Sequence, residues 1–440
     1  MAQVAERTDS LSLAFDAFRK DASFGVAGLA PSREAAFERF LAKGFPTTRE
    51  EEWRHTSLGP IAKTEFGRPA TFDIARATAE PFLFADELPH RVVLVNGRWS
   101  KELSSLDALP AGITVRSFRD AVTAPSAQPR TAPEWLLTAS SAMPLVDLNT
   151  AFVEDGVVID IAPKAIIDQP LHIVCLCAPT SSPIVVAPRI QIRAGAQSQA
   201  YIVESYGSVP GAASFTNAVT IVDVAADAML DHVKLQREAS TAFHLASMFV
   251  RLDRAGVFRS HALTLGGNIS RNDIVTTLAG DGAECTLDGL YVADGDTLVD
   301  THTTIDHAMP HCPSHELYKG ILSGKSRAVF NGKIIVRQDA QKTNAKQTNK
   351  ALLLSDDAQI NTKPQLEIFA DDVKCTHGAA IGQLDEDAMF YMQARGIAFQ
   401  DARNLLIHAF AGEVLDRVKE EVVREQAMRL LEAKLSLWKV

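Results

Sequence analysis

Cys375 and His377 lie two positions apart in the stretch ADDVKCTHGAA, residues 370–380, of a chain that contains only five cysteines. On a β-strand, side chains two residues apart share one side, so these two would project together with their Cα atoms about 7 Å apart. A shared metal ion fits that spacing better than a nucleophile hydrogen-bonded to its base. Thiolate and imidazole ligands suit iron, zinc or copper, but two ligands do not hold a metal firmly. Further donors would have to complete such a site.

The same two residues also suit a purely structural role. Cysteine is among the most often buried residue types and behaves as a small hydrophobic residue, and a histidine in a protein core normally has its hydrogen bonds satisfied. Residue type and spacing therefore leave two interpretations open. One is a half-complete metal site, and the other is an ordinary interior strand.

A denser group of potential ligands comes earlier, in the segment DTHTTIDHAMPHCPSHELYKG, residues 300–320. A structural zinc site needs four ligands, which usually arrive as two separated pairs. This segment offers no second well-spaced pair, and histidines in a polar loop more often form hydrogen bonds at the surface or in turns. We therefore expect hydrogen-bonding roles rather than a zinc site for the candidates, which are His302, His307, His311, Cys312 and His315.

Other motifs for catalysis are weak or missing from the sequence. The segment GILSGKS, residues 320–326, resembles a phosphate-binding loop, but only three residues separate its glycines and a strand-like stretch follows it. We reject nucleotide binding there, so any ATP hydrolysis would belong to another chain. Neither a Gly-x-Ser-x-Gly nucleophile elbow nor a His-Glu-x-x-His zinc motif occurs. Four aspartates could serve a carbohydrate-active enzyme, although aspartates in turns are usually turn formers: Asp294, Asp296, Asp300 and Asp306.

The composition indicates an ordered protein with a large core. The chain has 440 residues, of which 46% are hydrophobic and 22% charged, and a net charge of -10. This charge argues against nucleic acid or an anionic membrane as the main partner. The N-terminal residues lack the basic start and apolar run of a signal peptide, and roughly 18 uninterrupted apolar residues occur nowhere. These features predict a cytoplasmic protein, and the odd number of scattered cysteines favours reduced thiols.

Helices are expected at both ends of the chain. Near the N-terminus, residues 10–20 and 31–43 have apolar side chains at helical intervals. From about residue 386 the 3.6-residue periodicity returns, with breaks at Gly396 and Gly412. This pattern predicts two or three packed helices at the C-terminus.

Between these helical regions, short runs rich in valine and isoleucine indicate strands. A faint repeat runs through them, in which a small residue follows an apolar one by four positions. Its period near 30 residues favours a parallel β-helix with three short strands in each coil, although one step is 44 residues long, from Leu278 to Leu322. A β-sandwich stays open because four residue pairs are typical of hairpin turns: Asn96-Gly97, Asp155-Gly156, Asp281-Gly282 and Asn331-Gly332.

Two longer stretches carry a family resemblance. The run VFNGKIIVRQDAQKTNAKQTNKALLLSDDAQINTKPQLEIFADDVKCTHGAAIGQLDEDAMFYMQARGI, followed shortly by LLIHAFAGEVLDRV, closely resembles the SufB/SufD family of iron-sulfur cluster assembly proteins. Because the motif reads ADDVKCTHGAAIG, it is more similar to the SufD branch than to the SufB branch. The upstream segment GFPTTREEEWRHTSL is similar to the N-terminal element of the family. The resemblance covers nearly the whole chain and is strongest from about residue 300 to 418.

The resemblance implies a mainly β fold, a right-handed parallel β-helix flanked by N-terminal and C-terminal α-helical regions. We expect an N-terminal helical and mixed region over residues 1–145, the β-helix core over residues 146–386 and a C-terminal helical region over residues 387–440. The resemblance also implies a scaffold subunit rather than an enzyme. Its expected partners are a SufB-like subunit and a SufC-like ABC ATPase that hydrolyses the ATP.

The resemblance further implies roles for particular residues. In the family the SufB and SufD β-helices pair, with the Cys-x-His strand near their interface, so His377 and then Cys375 become ligands of a transient iron-sulfur cluster shared with SufB. No tightly bound cofactor is implied for the isolated chain, which could form a homodimer. Leu405, Leu406 and Phe410 are candidate contacts for the ATPase. The competing functions are a β-helix carbohydrate-active enzyme and a stand-alone zinc-binding structural protein.

Overall fold

The computed structural model describes residues 9–69, 73–84, 87–123 and 143–436. The α-helices in these ranges are α1 Asp9–Arg19, α2 Ala30–Lys43, α3 Gly59–Lys63, α4 Arg76–Leu83, α5 Phe118–Thr123, α6 Pro144–Phe152, α7 Glu386–Ala394, α8 Phe399–Leu415 and α9 Glu421–Ser436. Short 3-10 turns span Val26–Gly28 and Glu51–Trp53. None of the helices in these ranges combines the length and the apolar composition needed to cross a membrane.

The strands in the same ranges are β1 His90–Val95, β2 Arg98–Ser105, β3 Ile113–Ser117, β4 Gly156–Ile161, β5 Leu171–Cys177, β6 Ile184–Val186, β7 Arg189–Ala194, β8 Gln199–Ser208, β9 Ser214–Val224, β10 Met229–Arg237, β11 Phe243–Leu252, β12 Val257–Thr264, β13 Ile269–Leu278, β14 Glu284–Ala293, β15 Leu298–His307, β16 Pro313–Leu322, β17 Arg327–Val336, β18 Asn344–Leu353, β19 Gln359–Ile368 and β20 Lys374–Gly382.

These strands form two sheets, and from β7 onward they alternate between them. Sheet I has the order β2-β1-β5-β8-β10-β12-β14-β16-β18-β20, and sheet II has the order β19-β17-β15-β13-β11-β9-β7-β4-β3, with β6 paired to β9. From β8 onward each strand pairs in parallel with the strand one turn earlier in its sheet, and the register advances by 26 to 32 residues per turn. The result is a parallel β-solenoid of about 8 turns with helical regions at both ends, which confirms the predicted fold class.

Each turn contains two strands rather than the three that the sequence pattern favoured. From β8 to β20 the strands span 8 to 11 residues, so two strands and two corners account for the observed period. The 44-residue step also has a simple origin. Leu278 ends β13, at a corner leading from sheet II to sheet I, whereas Leu322 ends β16, at the opposite corner. By register, His307 is the residue that continues the series after Leu278.

Backbone conformation, more than residue type, defines the corners that lead from sheet II to sheet I. One residue at each of these corners has a positive φ, between 50° and 69°, and donates its N–H to a carbonyl of the next such corner or loop. Glycine adopts this conformation most easily, yet other residue types occupy most of the corners. This explains why the repeat is faint in the sequence. The residues are Lys164, Gln197, Asp227, Ala255, Gly282, His311 and Lys342.

The solenoid is the middle part of a layered structure. Apolar side chains from both sheets fill its lumen. The N-terminal helices pack on the outer face of sheet II, where Phe15 and Phe215 belong to one apolar cluster. Helices α8 and α9 cover the outer face of sheet I, where Ile407 and Leu317 belong to another. The apolar stripe of each helical region is therefore buried against a sheet.

The two ends of the solenoid differ. At the first turn, β2 pairs with β1 and β3 pairs with β4, so the last strand of each sheet is antiparallel to its neighbour there. At the last turn, β19 pairs only with β17 and β20 only with β18, as far as the described strands go. We call β19 and β20 the open end. Unpaired strand edges of this kind are templates for pairing with another chain.

The parallel pairing of the solenoid strands excludes a β-sandwich, and one of the four candidate turns forms a hairpin. Asn96 and Gly97 both have positive φ, 50° and 83°, as a type I′ turn requires, and they join β1 to β2. The other pairs do not form hairpins. Asp281-Gly282 is a solenoid corner, Asn331-Gly332 lies inside β17 and Asp155-Gly156 leads into β4.

The predicted helices form as expected, with one exception. Gly44 caps α2 with a φ of 71°, and Gly396, with a φ of 87°, lies between α7 and α8. Gly412, by contrast, lies within α8, so the predicted break there is wrong. Ala411 and Val414 on either side of it are buried against sheet I. This packing outweighs the low helix propensity of one glycine.

Candidate functional site

Cys375 and His377 lie on β20, at the open end. The register pairs Cys375 with Ala345 and His377 with Gln347 of β18, and both partners are buried in the lumen. The two side chains therefore project from the inner side of sheet I, together, as the strand alternation predicted. Because β20 is the last strand of its sheet, Cys375 is half-buried and His377 is exposed. His377 is thus not a core histidine.

Burial sets the protonation state of the Cys375 thiol. It raises the pKa of Cys375 above the ordinary 9.0, although a backbone hydrogen bond involving Ala345 lowers the pKa in part. The thiol is therefore protonated near neutral pH and must lose a proton before its sulfur binds a metal. A thiol of this kind is a weak nucleophile, which argues against a catalytic Cys-His pair.

The pair supplies two metal donors and an incomplete coordination sphere. Within residues 9–69, 73–84, 87–123 and 143–436, no group of three His, Cys, Asp or Glu side chains is arranged to hold a metal ion. Two protein ligands leave at least two positions of a tetrahedral site unfilled. What the arrangement can do is contribute a thiolate and an imidazole to a site whose other donors come from another molecule.

Exposed apolar side chains accompany the donor pair. Phe369, which directly follows β19, is 64% exposed, and Ile368 and Ile381 on the two open-end strands are also exposed. Helix α7, which follows β20 in the chain, also exposes Phe390 and Tyr391, outside the two strands. Large apolar side chains that share one surface indicate an interaction site. The open end therefore combines unpaired strand edges, metal donors and apolar contacts.

The three candidate contacts on α8 differ in their surroundings. Leu405 is exposed, whereas Leu406 and Phe410 are half-buried. Lys319 of β16 anchors Phe410, because its Nζ lies 4.1 Å from the ring centroid and donates to the Phe410 carbonyl oxygen at 2.6 Å. Leu405 is thus available to a partner, while Phe410 contributes to the packing of α8 on sheet I.

The fold separates the candidate zinc ligands of residues 300–320. His302 lies on the outer face of sheet II, and His307 lies in the lumen, where its Nε2 is 2.9 Å from Ser314 Oγ. His311 occupies a corner, and His315 is exposed on β16. His302 and His307 form hydrogen bonds as predicted, but both are buried on β15 rather than in a surface loop or turn.

The other motifs considered for catalysis also have structural roles. The GILSGKS segment forms the end of β16 and the corner before β17, which is not the loop-to-helix arrangement that binds phosphate. Asp296 lies exposed in a corner. The remaining aspartates bind separate partners and do not form a catalytic pair: Asp294 pairs with Lys434, Asp300 with Arg271 and Asp306 with Arg337.

The Glu-Glu-Trp-Arg element is fixed to the outer face of sheet II by a buried ionic cluster. The Arg271 guanidinium lies 3.7 Å from the Trp53 ring centroid and 2.7 Å from Asp300. His302 bridges Asp300, 3.0 Å from its Nε2, and Glu52, 3.1 Å from its Nδ1. Desolvation lowers the pKa of His302, but the charge of Asp300 and the hydrogen bonds to Asp300 and Glu52 raise it to about 9. The cluster therefore contains a protonated histidine at neutral pH.

Sequence reasoning missed a buried polar network inside the lumen. Lys234 Nζ lies 2.9 Å from His244 Nε2, and His244 Nδ1 lies 2.7 Å from Glu238 Oε2. All three side chains are buried. A charged residue on a strand usually faces solvent, whereas Lys234 is buried in the lumen. One signal was present in the sequence. Val233 and Leu235 lie on either side of Lys234, and two apolar side chains on the outer side of a strand must be covered by another element, here the C-terminal helices.

Comparisons with known proteins agree with this architecture. Residues 177–410 match the SufBD core domain of the SUF system for FeS cluster assembly, and residues 20–173 match the SufBD protein N-terminal region. An iron-sulfur cluster assembly SufBD family protein of Synechocystis sp. is 33% identical over 399 residues, which are 89% of this chain and 87% of that protein. The iron-sulfur cluster assembly protein SufD of Escherichia coli is 31% identical over 400 residues, 90% of this chain and 91% of that protein. The chain therefore belongs to the SufBD family, and its role is in iron-sulfur cluster assembly.

Proposed function

We propose that this chain is a SufD-type scaffold subunit that acts in the cytoplasm and has no catalytic activity of its own. It pairs with a SufB-like subunit at the open end and binds a SufC-like ABC ATPase through its C-terminal helices. The observation that carries the proposal is the Cys375 and His377 pair, two metal donors at an unpaired strand edge with no third donor in the described residues. The iron-sulfur cluster is cargo, built between the subunits and passed on.

The geometry of the open end supports the pairing with a second subunit. β19 and β20 present edges of 10 and 9 residues, and a partner strand can satisfy their backbone groups by strand addition. Burial of Ile368, Phe369 and Ile381 in the same contact would add apolar area. A partner placed there lies beside both donors and can supply the remaining ligands.

The chemistry of the two donors differs. Binding of iron by Cys375 must displace the thiol proton, so this step depends on pH. His377 contributes an imidazole nitrogen, which is an uncharged donor rather than an anionic one. A cluster held by so few ligands from one chain is bound weakly enough to be transferred, because the donors of both subunits are required to keep it.

The attachment of α8 supports a mechanical role for the ATPase. Glu413 of α8 lies 2.6 Å from Lys319 of β16 and 3.1 Å from Lys350 of β18. β18 is the direct neighbour of β20 in sheet I. A displacement of α8 by a bound ATPase would therefore act on the strands beside Cys375 and His377. Exposed apolar residues on α7 and α8, such as Phe390 and Leu405, provide contacts for such a partner.

Purification of the tagged chain from a native lysate tests the assembly. We expect it to bring down a SufB-like subunit and an ABC ATPase. A chain that purifies alone and cleaves a polysaccharide, or alone with stoichiometric zinc, would contradict the proposal.

A pair of histidine variants tests the site. His377→Ala should leave the melting temperature and complex assembly nearly unchanged, and should lower cluster reconstitution in the complex about 10- to 100-fold. His315→Ala is the matched control, since His315 is also an exposed histidine on a strand of sheet I but points outward. We expect this control to build clusters at the normal rate. Normal reconstitution by His377→Ala complexes would rule out its role as a ligand.

A further inference from the structure

A column of polar side chains lies beneath His377. By register, Glu316 of β16, Gln347 of β18 and His377 of β20 are successive residues on the inner side of sheet I. Adjacent strands in a sheet are about 4.8 Å apart, so side chains of neighbouring turns can contact each other. Glu316 and Gln347 are only 3% and 1% exposed. The column therefore leads from the closed interior to the donor at the open end.

The amide of Gln347 is held in one orientation. Its Nε2 donates to Glu316 Oε2 at 2.6 Å. The amide also lies against Gly332 of β17 in the opposite sheet, where an added Cβ would be 1.9 Å from Nε2. Because Gly332 has no side chain, the amide of Gln347 has room at this position. The hydrogen bond to Glu316 directs Nε2, rather than Oε1, toward the preceding turn.

The other end of this amide has no partner. Gln347 Oε1 is buried and makes no hydrogen bond to any residue in the described part of the chain. A buried carbonyl oxygen without a hydrogen bond is energetically unfavourable, and such groups are rare. Because Nε2 is directed to Glu316, Oε1 is directed away from it. The next residue of the column in that direction is His377, whose imidazole carries an N–H.

We propose that Gln347 is a positioning residue for His377. Its Oε1 accepts a hydrogen bond from one ring nitrogen of His377 once the imidazole turns toward the lumen, which fixes the tautomer and directs the other nitrogen out of the open end. Histidines that bind metals commonly donate their second ring nitrogen to an acceptor of this kind. The inference rests on the proposed function, because it assigns the outward nitrogen to cluster binding. Glu316 contributes indirectly, because its hydrogen bond orients the amide of Gln347.

Nitrogen-15 NMR of the full chain, labelled at histidine, tests the hydrogen bond directly. Signals of His377 are assigned by their loss in His377→Ala and are recorded above neutral pH. We expect a single neutral tautomer in the wild type and a mixture of both tautomers in Gln347→Met, which keeps the size but removes the acceptor. Gln347→Glu keeps an acceptor oxygen and should restore the single tautomer.

Asn349→Leu is the matched control. Asn349 is another buried amide of β18, bonded to the Tyr291 hydroxyl and the Tyr318 carbonyl at 3.3 Å each, but it lies in the column of Ala379. Its loss should lower stability without changing the tautomer of His377. A tautomer change in Asn349→Leu equal to that in Gln347→Met would show a general packing effect and overturn the inference.

Two further outcomes separate this inference from the proposed function. Identical tautomer mixtures in the wild type and Gln347→Met would mean that water satisfies Gln347, which overturns the inference whatever the complex does. Loss of the single tautomer in Gln347→Met supports the inference. Normal cluster building by His377→Ala complexes would contradict only the proposed function.

The affinity of the complex for Fe²⁺ gives a second test if His377→Ala weakens it. Gln347→Met should then weaken Fe²⁺ binding about 10- to 100-fold, and an unchanged affinity would overturn the positioning role.

Discussion

Two buried carboxylates of the lumen show how neighbouring groups decide the cost of burial. Glu204 accepts hydrogen bonds from the Tyr206 hydroxyl at 2.7 Å and from His232 Nε2 at 3.2 Å. Burial raises the pKa of Glu204, but the hydrogen bond and charge of His232, with the charge of Lys234, outweigh burial and lower it to about 2. Glu316 has the neutral amide of Gln347 instead, and burial raises its pKa to about 7. The two groups therefore affect stability in opposite ways.

Glu316→Gln should stabilise the protein at alkaline pH. The pKa of Glu316 rises from the ordinary 4.5 to about 7 on folding, so its contribution to the free energy of unfolding falls as pH rises between these values and stays low above them. At 1.36 kcal/mol per pKa unit, the gain from removing the charge is roughly 3 kcal/mol at about pH 8 and small at about pH 5. Denaturant unfolding at the two pH values measures it.

Glu204→Gln provides the matched comparison for Glu316→Gln. Glu204 is equally buried but paired, and its lowered pKa means that its stabilising contribution is present above pH 4.5 and lost as pH falls through about 2. Its replacement should cost about 3 to 5 kcal/mol near neutral pH, because the partner charges stay buried. Equal effects of the two substitutions would contradict this account of the lumen.

Ionic contacts reinforce the apolar packing of the N-terminal region at one place on the solenoid. Glu52 and Trp53 meet sheet II at the cluster of Arg271, Asp300 and His302. The protonated form of His302 joins two carboxylates there. The contact of Glu52 and Trp53 with sheet II should therefore depend on pH.

The contact between residues 50–56 and sheet II should weaken above about pH 9. The pKa of His302 rises from 6.5 to about 9 on folding, so its stabilising contribution is complete below pH 6.5 and is lost as pH rises through about 9. His302→Gln should lower the free energy of unfolding by roughly 3 kcal/mol at neutral pH and by little above pH 10. Hydrogen exchange of residues 50–56 reports the local opening.

His307→Gln serves as the control for that pH dependence. Burial lowers the pKa of His307 to about 4, so this histidine is neutral throughout the alkaline range. The effect of His307→Gln on the free energy of unfolding should stay constant from neutral pH to pH 10. A constant effect of His302→Gln over the same range would contradict the role of its charge.

Point substitutions test the docking of an ATPase on the C-terminal helices better than a deletion does. They cover apolar residues of sheet I such as Leu263, Leu290 and Leu317, so removing them would expose this face to solvent. Leu405→Glu should leave the melting temperature unchanged and weaken ATPase binding by at least about tenfold, as expected for an apolar contact of an interface. Leu13→Glu on α1 is the control, because Leu13 is also an exposed leucine, and it should bind normally. Equal binding by both variants would remove Leu405 from the docking surface.

At the scale of the whole molecule, periodic features of the sequence predicted the terminal helices and the repeat, whereas the resemblance to the SufB/SufD family decided for the β-helix over the β-sandwich. The terminal helices and the period near 30 residues were visible because apolar spacing controls them. The number of strands per turn was not, because corner residues as different as Ala255 and His311 share one backbone conformation. The donor pair on one strand face was predictable from its spacing, whereas the role of Gln347 depends on a contact across turns that only the register reveals.

The isolated chain should purify without stoichiometric iron or zinc. Within the residues that the structure describes, Cys375 and His377 belong to no group of three donors arranged to hold a metal ion, and two ligands do not hold a metal firmly. Metal analysis of the chain purified alone, compared with the complex after reconstitution, checks this. One iron or zinc per isolated chain would contradict this prediction, and its retention in His377→Ala would show that the metal is bound at another site.

The strands at the first turn bear on how many subunits can be expected to join in a row. A solenoid with two open ends could add copies at both and grow into a fibre, as any contact that does not close on itself does. β2 and β3 are also the last strands of their sheets, but β3 is only five residues long and β2 exposes the charged pair Lys101 and Glu102, features that discourage strand addition, so we expect only one end of the molecule to accept a partner strand. When two such open ends meet, each subunit terminates the sheets of the other. We therefore expect the end of the molecule that makes no contact with the partner to limit the assembly to a pair.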